Sequence, residues 1–275
     1  MSKIIAEEWL QAEMADADEA KPGNPIHSTA GAQQYGFRAA LVGGATVYGW
    51  AVRTIVGVLG ERWLGDGWAH VRFRQPVYPN DTLQVRVDDA HEFSILNAQE
   101  VAVGGELGLG RAPWLDDLAM PTALAAVQHP AARPRLTPDN VPVGRDLAAS
   151  AVALSVAAAI EFARDQERET LPQFFGPAPL AHPAWLAAQP IHLLHHSYDY
   201  GPAIHVESHI QHLGRAVAGQ TFLVAGRCVA AYARKGHQYM VNDCVIRAEG
   251  GADVARIRHT VIYQVAKRGQ PTGGA

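Results

Sequence analysis

The second half of the chain alternates. Over 220–226, 228–232, 238–246 and 254–265, branched or aromatic residues take turns with polar ones, and Lys235-Gly236 and Glu249-Gly250-Gly251 punctuate the run. Period-two patterning between glycine-bearing turns predicts an antiparallel meander. Residues 44–59 read differently. Val47, Trp50, Ala51, Ile55 and Val58 recur at spacings of three and four, which puts one apolar stripe on a single helix. Glu106-Leu107-Gly108-Leu109-Gly110 alternates like a strand, so these glycines do not open a dinucleotide-binding helix.

The pattern also occurs twice. A shift of 139 residues brings His209-Ile210-Gln211-His212 onto His70-Val71-Arg72-Phe73, Ala218-Gly219-Gln220-Thr221 onto Pro79-Asn80-Asp81-Thr82, and His182-Pro183 onto Gly43-Gly44. A repeat of this length predicts two copies of one helix-and-sheet unit. The sheets are expected to meet edge to edge, which removes open edges. The stretch between the copies, rich in proline from Pro113 to Pro142, sets a boundary near residue 135, giving units over 1–135 and 136–275. The tail over 269–275 reads as disordered.

Composition narrows the possible partners. A net charge of −4, from 27 acidic and 23 basic residues without a basic run, argues against nucleic acid. No stretch approaches 18 uninterrupted apolar residues and the first residues lack a signal-peptide pattern, so the expectation is a cytoplasmic protein off the membrane. Cys228 and Cys244 cannot form a disulfide framework and read as small core residues. Neither a Gly-x-Ser-x-Gly elbow nor a Walker sequence is present.

The chemistry centres on Asn24-Pro25-Ile26-His27, followed by Ala30, Ala32, Gly36-Phe37 and Leu41-Val42-Gly43-Gly44 at the start of the helix. Together with Phe73-Arg74-Gln75-Pro76-Val77-Tyr78-Pro79-Asn80-Asp81-Thr82, this resembles the MaoC-like dehydratases and (R)-specific enoyl-CoA hydratases. The resemblance implies an α+β double hotdog, in which each unit wraps an antiparallel sheet around a long helix. The first unit would carry the motif and the second would complete the pocket, since position 166, the counterpart of His27, is Gln. It implies a hydro-lyase acting on an acyl thioester or related β-hydroxy or enoyl carbonyl compound. His27 would be the acid/base, the Gly44 N–H would polarise the carbonyl, and Asn24 would orient the turn. No metal or cofactor is implied. The partners would be a small-molecule substrate, including a coenzyme A thioester, and further copies of the chain in a homo-oligomer.

The chain departs from the family where an Asp belongs two residues before the Asn, because Pro22 stands there. Simple enoyl-CoA hydration is therefore expected to be weak. Asp16, Asp18 or Glu19 could fold back, or Asp199, His205 or Glu207 could reach the cleft from the second unit. His205, Glu207 and His209 alternate, which would place them on one strand face, where a metal site or a solvated face are the competing readings. Gly43, Tyr48, His182 and Glu207 are the candidate substrate-binding residues. Other readings stay open. His27 could cap the following helix, and Gly44 could be needed for tight packing. The pocket could serve thioesterase, isomerase or other lyase chemistry, or belong to a non-catalytic acyl-binding subunit.

Overall fold

The computed structural model describes residues 2–14 and 24–266. Pro22, Asp16, Asp18, Glu19 and the 269–275 tail lie outside the described residues.

The first half contributes strands β1 (Ile4–Gln11), β2 (Gly67–Phe73), β3 (Thr82–Asp88), β4 (Glu92–Asn97) and β5 (Glu100–Leu109). Its helices are α1 (Thr29–Gln33), α2 (Gly44–Gly49), α3 (Val52–Leu59) and α4 (Trp63–Asp66). The second half supplies strand β6 (Ser150–Leu154), helices α5 (Val156–Glu161) and α6 (Pro183–Ser197), and strands β7 (Ile204–His212), β8 (Gln220–Arg234), β9 (His237–Arg247) and β10 (Asp253–Gln264). All ten strands form one sheet in the order β1-β3-β4-β5-β2-β7-β10-β9-β8-β6, so each half repeats the same order and the two join at β2 and β7.

The register at that join reproduces the sequence repeat. His70 opposes His209, Trp68 opposes Gln211 and Arg72 opposes Glu207. A shift of 139 residues turns Trp68 into Glu207 and Arg72 into Gln211, so the ladder maps onto itself about the His70–His209 pair. Ala69, Val71 and Ile210 face the helices and are fully or almost fully buried, while Trp68, His70 and Arg72 take the outer face. This is the two-sided alternation of a sheet with one covered face.

Two elements differ from their patterns. The 44–59 helix breaks after Gly49, where the Ala51 N–H bonds to the Tyr48 carbonyl in a tighter turn before α3 begins. A Cβ on Gly49 would lie 1.9 Å from Glu167 Oε2, so a carboxyl from the second half presses against the backbone at the break. Strands read as 220–226 and 228–232 are one strand, β8, carrying an irregularity between Cys228 and Ala230. A bulge keeps the ladder running while shifting the alternation by one residue, which is the interruption the sequence shows. Both cysteines are buried and free, and burial pushes the Cys228 thiol up to about 11.

Candidate functional site

The motif loop is built by its own residues. Pro25–His27 makes one turn of 3-10 helix, and Ser28 then caps α1, its Oγ accepting from the Gly31 N–H at 3.2 Å. Ser28 therefore does the capping that His27 could have done. The His27 ring turns the other way. Its Nδ1 lies 2.8 Å from the Leu41 carbonyl oxygen, which can only accept, so Nδ1 carries the proton. In the neutral ring Nε2 is then the basic nitrogen, and Asn24 Nδ2 donates to it at 3.1 Å.

Asn24 joins the two halves. Its Nδ2 donates to the Ala203 carbonyl at 2.9 Å and its Oδ1 accepts from the Ala203 N–H at 3.1 Å, a two-point clasp that fixes the amide orientation. Ala203 immediately precedes β7, so the loop bearing His27 is anchored to the second half 179 residues away.

Gly43 and Gly44 sit between the two histidine-bearing segments. A Cβ on Gly43 would be 3.9 Å from His27 Cε1, and a Cβ on Gly44 would be 3.1 Å from His205 Cβ and 3.3 Å from His205 Nδ1. Gly44 is the first residue of α2, so its N–H lies outside the helix's own hydrogen bonds. His27, Gly43, Gly44 and His205 all retain partial exposure.

His205 is on this side because β7 is irregular. Thr260 opposes Glu207 but Val261 opposes His205, which leaves Val206 as an extra residue and reverses the alternation below it. The expected shared face of His205, Glu207 and His209 is thereby corrected. His205 turns inward, Nε2 at 2.7 Å from Ser208 Oγ, which is 3.2 Å from His259 Nδ1. Burial, then the neighbouring His259, holds His205 well below the usual histidine range, and burial takes His259 down to about 3. Ser208 and His259 had no signal in the sequence, because nothing in a strand pattern says which residues of β7 and β10 meet.

Glu207 goes to the outer face, so its assignment as a pocket residue is corrected too. There its Oε1 accepts from His70 Nε2 at 2.5 Å and from Arg72 Nε at 3.2 Å. The His70 hydrogen bond holds the Glu207 carboxyl below its ordinary range. His70, Glu207 and His209 each offer a ligand atom within 4.8 Å of the others, which makes them a candidate metal trio. Their chemistry fits a metal poorly. Arg72 donates to His70 Nδ1 at 3.2 Å, which puts the His70 proton on Nε2, the atom that faces Glu207. The His70 and His209 rings also stack at 3.8 Å and 18°, so their in-plane lone pairs run side by side rather than converging.

Two further candidates are core residues. Tyr48 is 1 % exposed, its ring 6.3 Å from Phe93, and burial pushes its hydroxyl far up. His182 is 1 % exposed and caps α6, its Nδ1 accepting from the Ala184 N–H at 3.2 Å, with its ring 4.7 Å from Phe174. Asp199 is exposed and pairs with Arg135 at 3.2 Å.

A pocket of about 180 Å³ lies between β1, the α2–α3 break and residues 167–169, lined by Glu8, Trp50, Arg53, Glu167 and Glu169 among others. Glu167 is 4 % exposed and, among the described residues, neither carboxyl oxygen has a hydrogen-bond partner; burial, then Glu169, raises it well above the carboxylate range.

No sequence-family model matches this chain, and no curated protein sequence does. Solved structures do match. A MaoC domain protein dehydratase from Chloroflexus aurantiacus J-10-fl superposes with a TM-score of 0.62 at 15 % identity, covering 96 % of this chain and 95 % of the other. A Mycobacterium tuberculosis protein described as having a double hotdog fold gives 0.58 at 15 % identity, over 95 % and 96 %. An isomerase-inactive variant of the GphF DH1 domain gives 0.55 at 15 % identity, over 98 % and 97 %. The repeated order of five strands around α2–α3 and around α6 is therefore the double hotdog, the fold that this chain shares with MaoC-like dehydratase structures.

Proposed function

We propose that the chain is a hydro-lyase that adds water to, or removes it from, an acyl thioester or a related β-hydroxy or enoyl carbonyl compound. One observation carries this reading: His27 donates Nδ1–H to the Leu41 carbonyl, which leaves Nε2, the nitrogen that Asn24 Nδ2 meets, as its acid/base atom beside the Gly43–Gly44 helix start. One such nitrogen suffices for a balanced reaction. In dehydration Nε2 takes the α-proton, the electron pair moves through the enolate to form the double bond, and the same proton leaves with the β-hydroxyl as water. The enolate oxygen sits at the Gly44 N–H, where the positive end of α2 favours negative charge. Asn24 yields its contact with Nε2 to the substrate and keeps its clasp on Ala203.

The test is turnover of crotonyl-CoA and of 3-hydroxybutyryl-CoA. His27→Ala lowers either rate by about 10²-fold or more, as expected for a positioned acid/base. Parental rates in a folded His27→Ala protein would remove the proposal. Pro22→Asp, which restores the family's carboxyl, raises crotonyl-CoA hydration.

Double-bond migration is the second reading. It needs a single base and an oxyanion donor, and the likeness to an isomerase-inactive GphF DH1 variant favours it over thioester hydrolysis. Products formed from a 2-enoyl thioester in deuterated water separate the two.

A further inference from the structure

We propose that His205 is a second oxyanion donor, a neutral imidazole whose Nδ1–H joins the Gly44 amide at the substrate carbonyl, with its tautomer set by Ser208 and His259. This deepens the hydro-lyase reading and rests on it for the identity of the substrate.

Position comes first. His205 Nδ1 lies 3.3 Å from where a Gly44 Cβ would be, so this nitrogen lies against the first residue of α2. Phe73 closes one side, its ring centroid 4.3 Å from that of His205. The absence of a side chain on Gly44 is what lets His205 and Phe73 pack this close to the start of α2.

The proton's position follows from the buried chain. Ser208 Oγ has one hydrogen and, among the described residues, two imidazole partners; accepting from both would leave that buried O–H unmet, so it donates to one and accepts from the other. If it donated to His259 Nδ1, the His259 proton would sit on Nε2, which is buried with no partner among the described residues. A buried N–H left without an acceptor costs more than a bare lone pair. The favoured arrangement has His259 Nδ1–H donating to Ser208 Oγ, and Ser208 Oγ–H donating to His205 Nε2. The His205 proton is then on Nδ1, beside Gly44.

Charge excludes the alternative in which His205 is a general acid. Its neighbours are Gly44 from α2, Phe73 from β2, Ser208 from its own strand and His259 from β10, and none brings a negative charge to stabilise an imidazolium. A ring that stays neutral cannot supply a proton and recover it near neutral pH, but it can donate a hydrogen bond to a developing oxyanion. The division of labour is then complete: His27 moves the proton, while Gly44 and His205 hold the charge. His205 would touch substrate, whereas Ser208 and His259 act through it as positioning residues.

The experiment has two readouts. Long-range 1H–15N correlation spectra of 15N-histidine-labelled protein give the tautomer without reference to activity. The expected result is an Nδ1–H His205 that does not titrate between pH 5 and 8, and an Nε2–H signal or a pKa in the ordinary histidine range overturns the proposal. In turnover, His205→Phe lowers kcat by about 10²-fold with little change in KM. His205→Asn recovers part of that loss, because its amide N–H falls where Nδ1–H was, and a packing role would not show this rescue. Ser208→Ala leaves the fold intact by circular dichroism and mixes the two tautomers of His205. Parental kcat in His205→Phe, with His27→Ala inactive, overturns the role of His205 and leaves the hydro-lyase reading standing. If no thioester is turned over, the labelled protein is titrated with acetoacetyl-CoA: a shift of the His205 Nδ1–H signal supports the donor role, and an unmoved signal overturns it.

Discussion

The repeat places two regions in equivalent frames, one at the start of α2 and one at the start of α6, and they have different chemistry. By the shift of 139, His27 corresponds to Gln166, Ser28 to Glu167, Gly43 to His182 and Gly44 to Pro183. At α2 the first residue offers an N–H, a neighbouring imidazole is held in a defined tautomer, and the surroundings are partly exposed. At α6 the first residue is a proline, which has no N–H to offer, and the preceding His182 is buried as a cap. Gln166 donates to Thr46 Oγ1 at 2.9 Å, an ordinary surface hydrogen bond. Duplication thus supplied two frames, and in one of them the groups suited to an oxyanion and a proton transfer are replaced by groups that close the structure. A fold shared between two halves does not by itself place chemistry in both.

The largest test of this contrast pairs His27→Ala with Gln166→Ala. The first should lose about 10²-fold or more in turnover, as for any positioned acid/base, and the second should retain the parental rate. Equal losses would mean that both regions are active. Next comes Gly44→Ala, which keeps the amide but adds a methyl 3.1 Å from His205 Cβ and Phe73 Cε1. A displacement of the site of this kind is expected to cost about tenfold or more in kcat, with unchanged melting separating it from misfolding.

Asn24→Ala is smaller in rate but visible in stability. It removes the clasp on Ala203 and leaves that buried backbone pair unmet, at about 1–3 kcal/mol in denaturant unfolding. An unaltered midpoint would show that the two halves do not depend on this link.

The smallest expected effect lies in the second region. Glu167 is raised by burial and by Glu169, so its folded form holds a proton that the unfolded chain releases above the ordinary carboxylate range. The unfolded state therefore binds fewer protons, and stability falls as pH rises from the unfolded pKa toward the folded one. Glu167→Gln should raise the melting temperature by roughly 2–4 °C at pH 8, the shift that about 1 kcal/mol produces in a chain of this class. The gain should vanish at pH 4. A gain independent of pH would mean that Glu167 is not protonated in the fold.

The repeat, the meander and the motif loop were legible from residue order because each is local or periodic. Alternation reports a half-covered sheet, and the 139-residue shift reports duplication whatever the residues do. His27 stood out because Asn-Pro-x-His and the Gly pair are short-range features of one loop and one helix start. The partners of His27 were not legible. The Leu41 carbonyl that meets it carries no side-chain signal, and neither does the Ala203 backbone that Asn24 clasps, a contact that depends on how the halves join.

Glu207 shows the limit most clearly. Strict alternation over His205, Glu207 and His209 puts them on one face, and a single extra residue at Val206 moves His205 inward and leaves Glu207 outside. A bulge is set by the mismatch between β7 and its neighbour β10, which no pattern within β7 records. Tyr48 and His182 likewise have polar ends that suit a pocket, yet the packing of α2 and α6 buries them. The sequence by itself determined the two-unit frame and the one imidazole in the motif. The tertiary structure decided which side chains face that imidazole, because strand register, bulges and helix packing are properties of pairs of segments far apart in the chain.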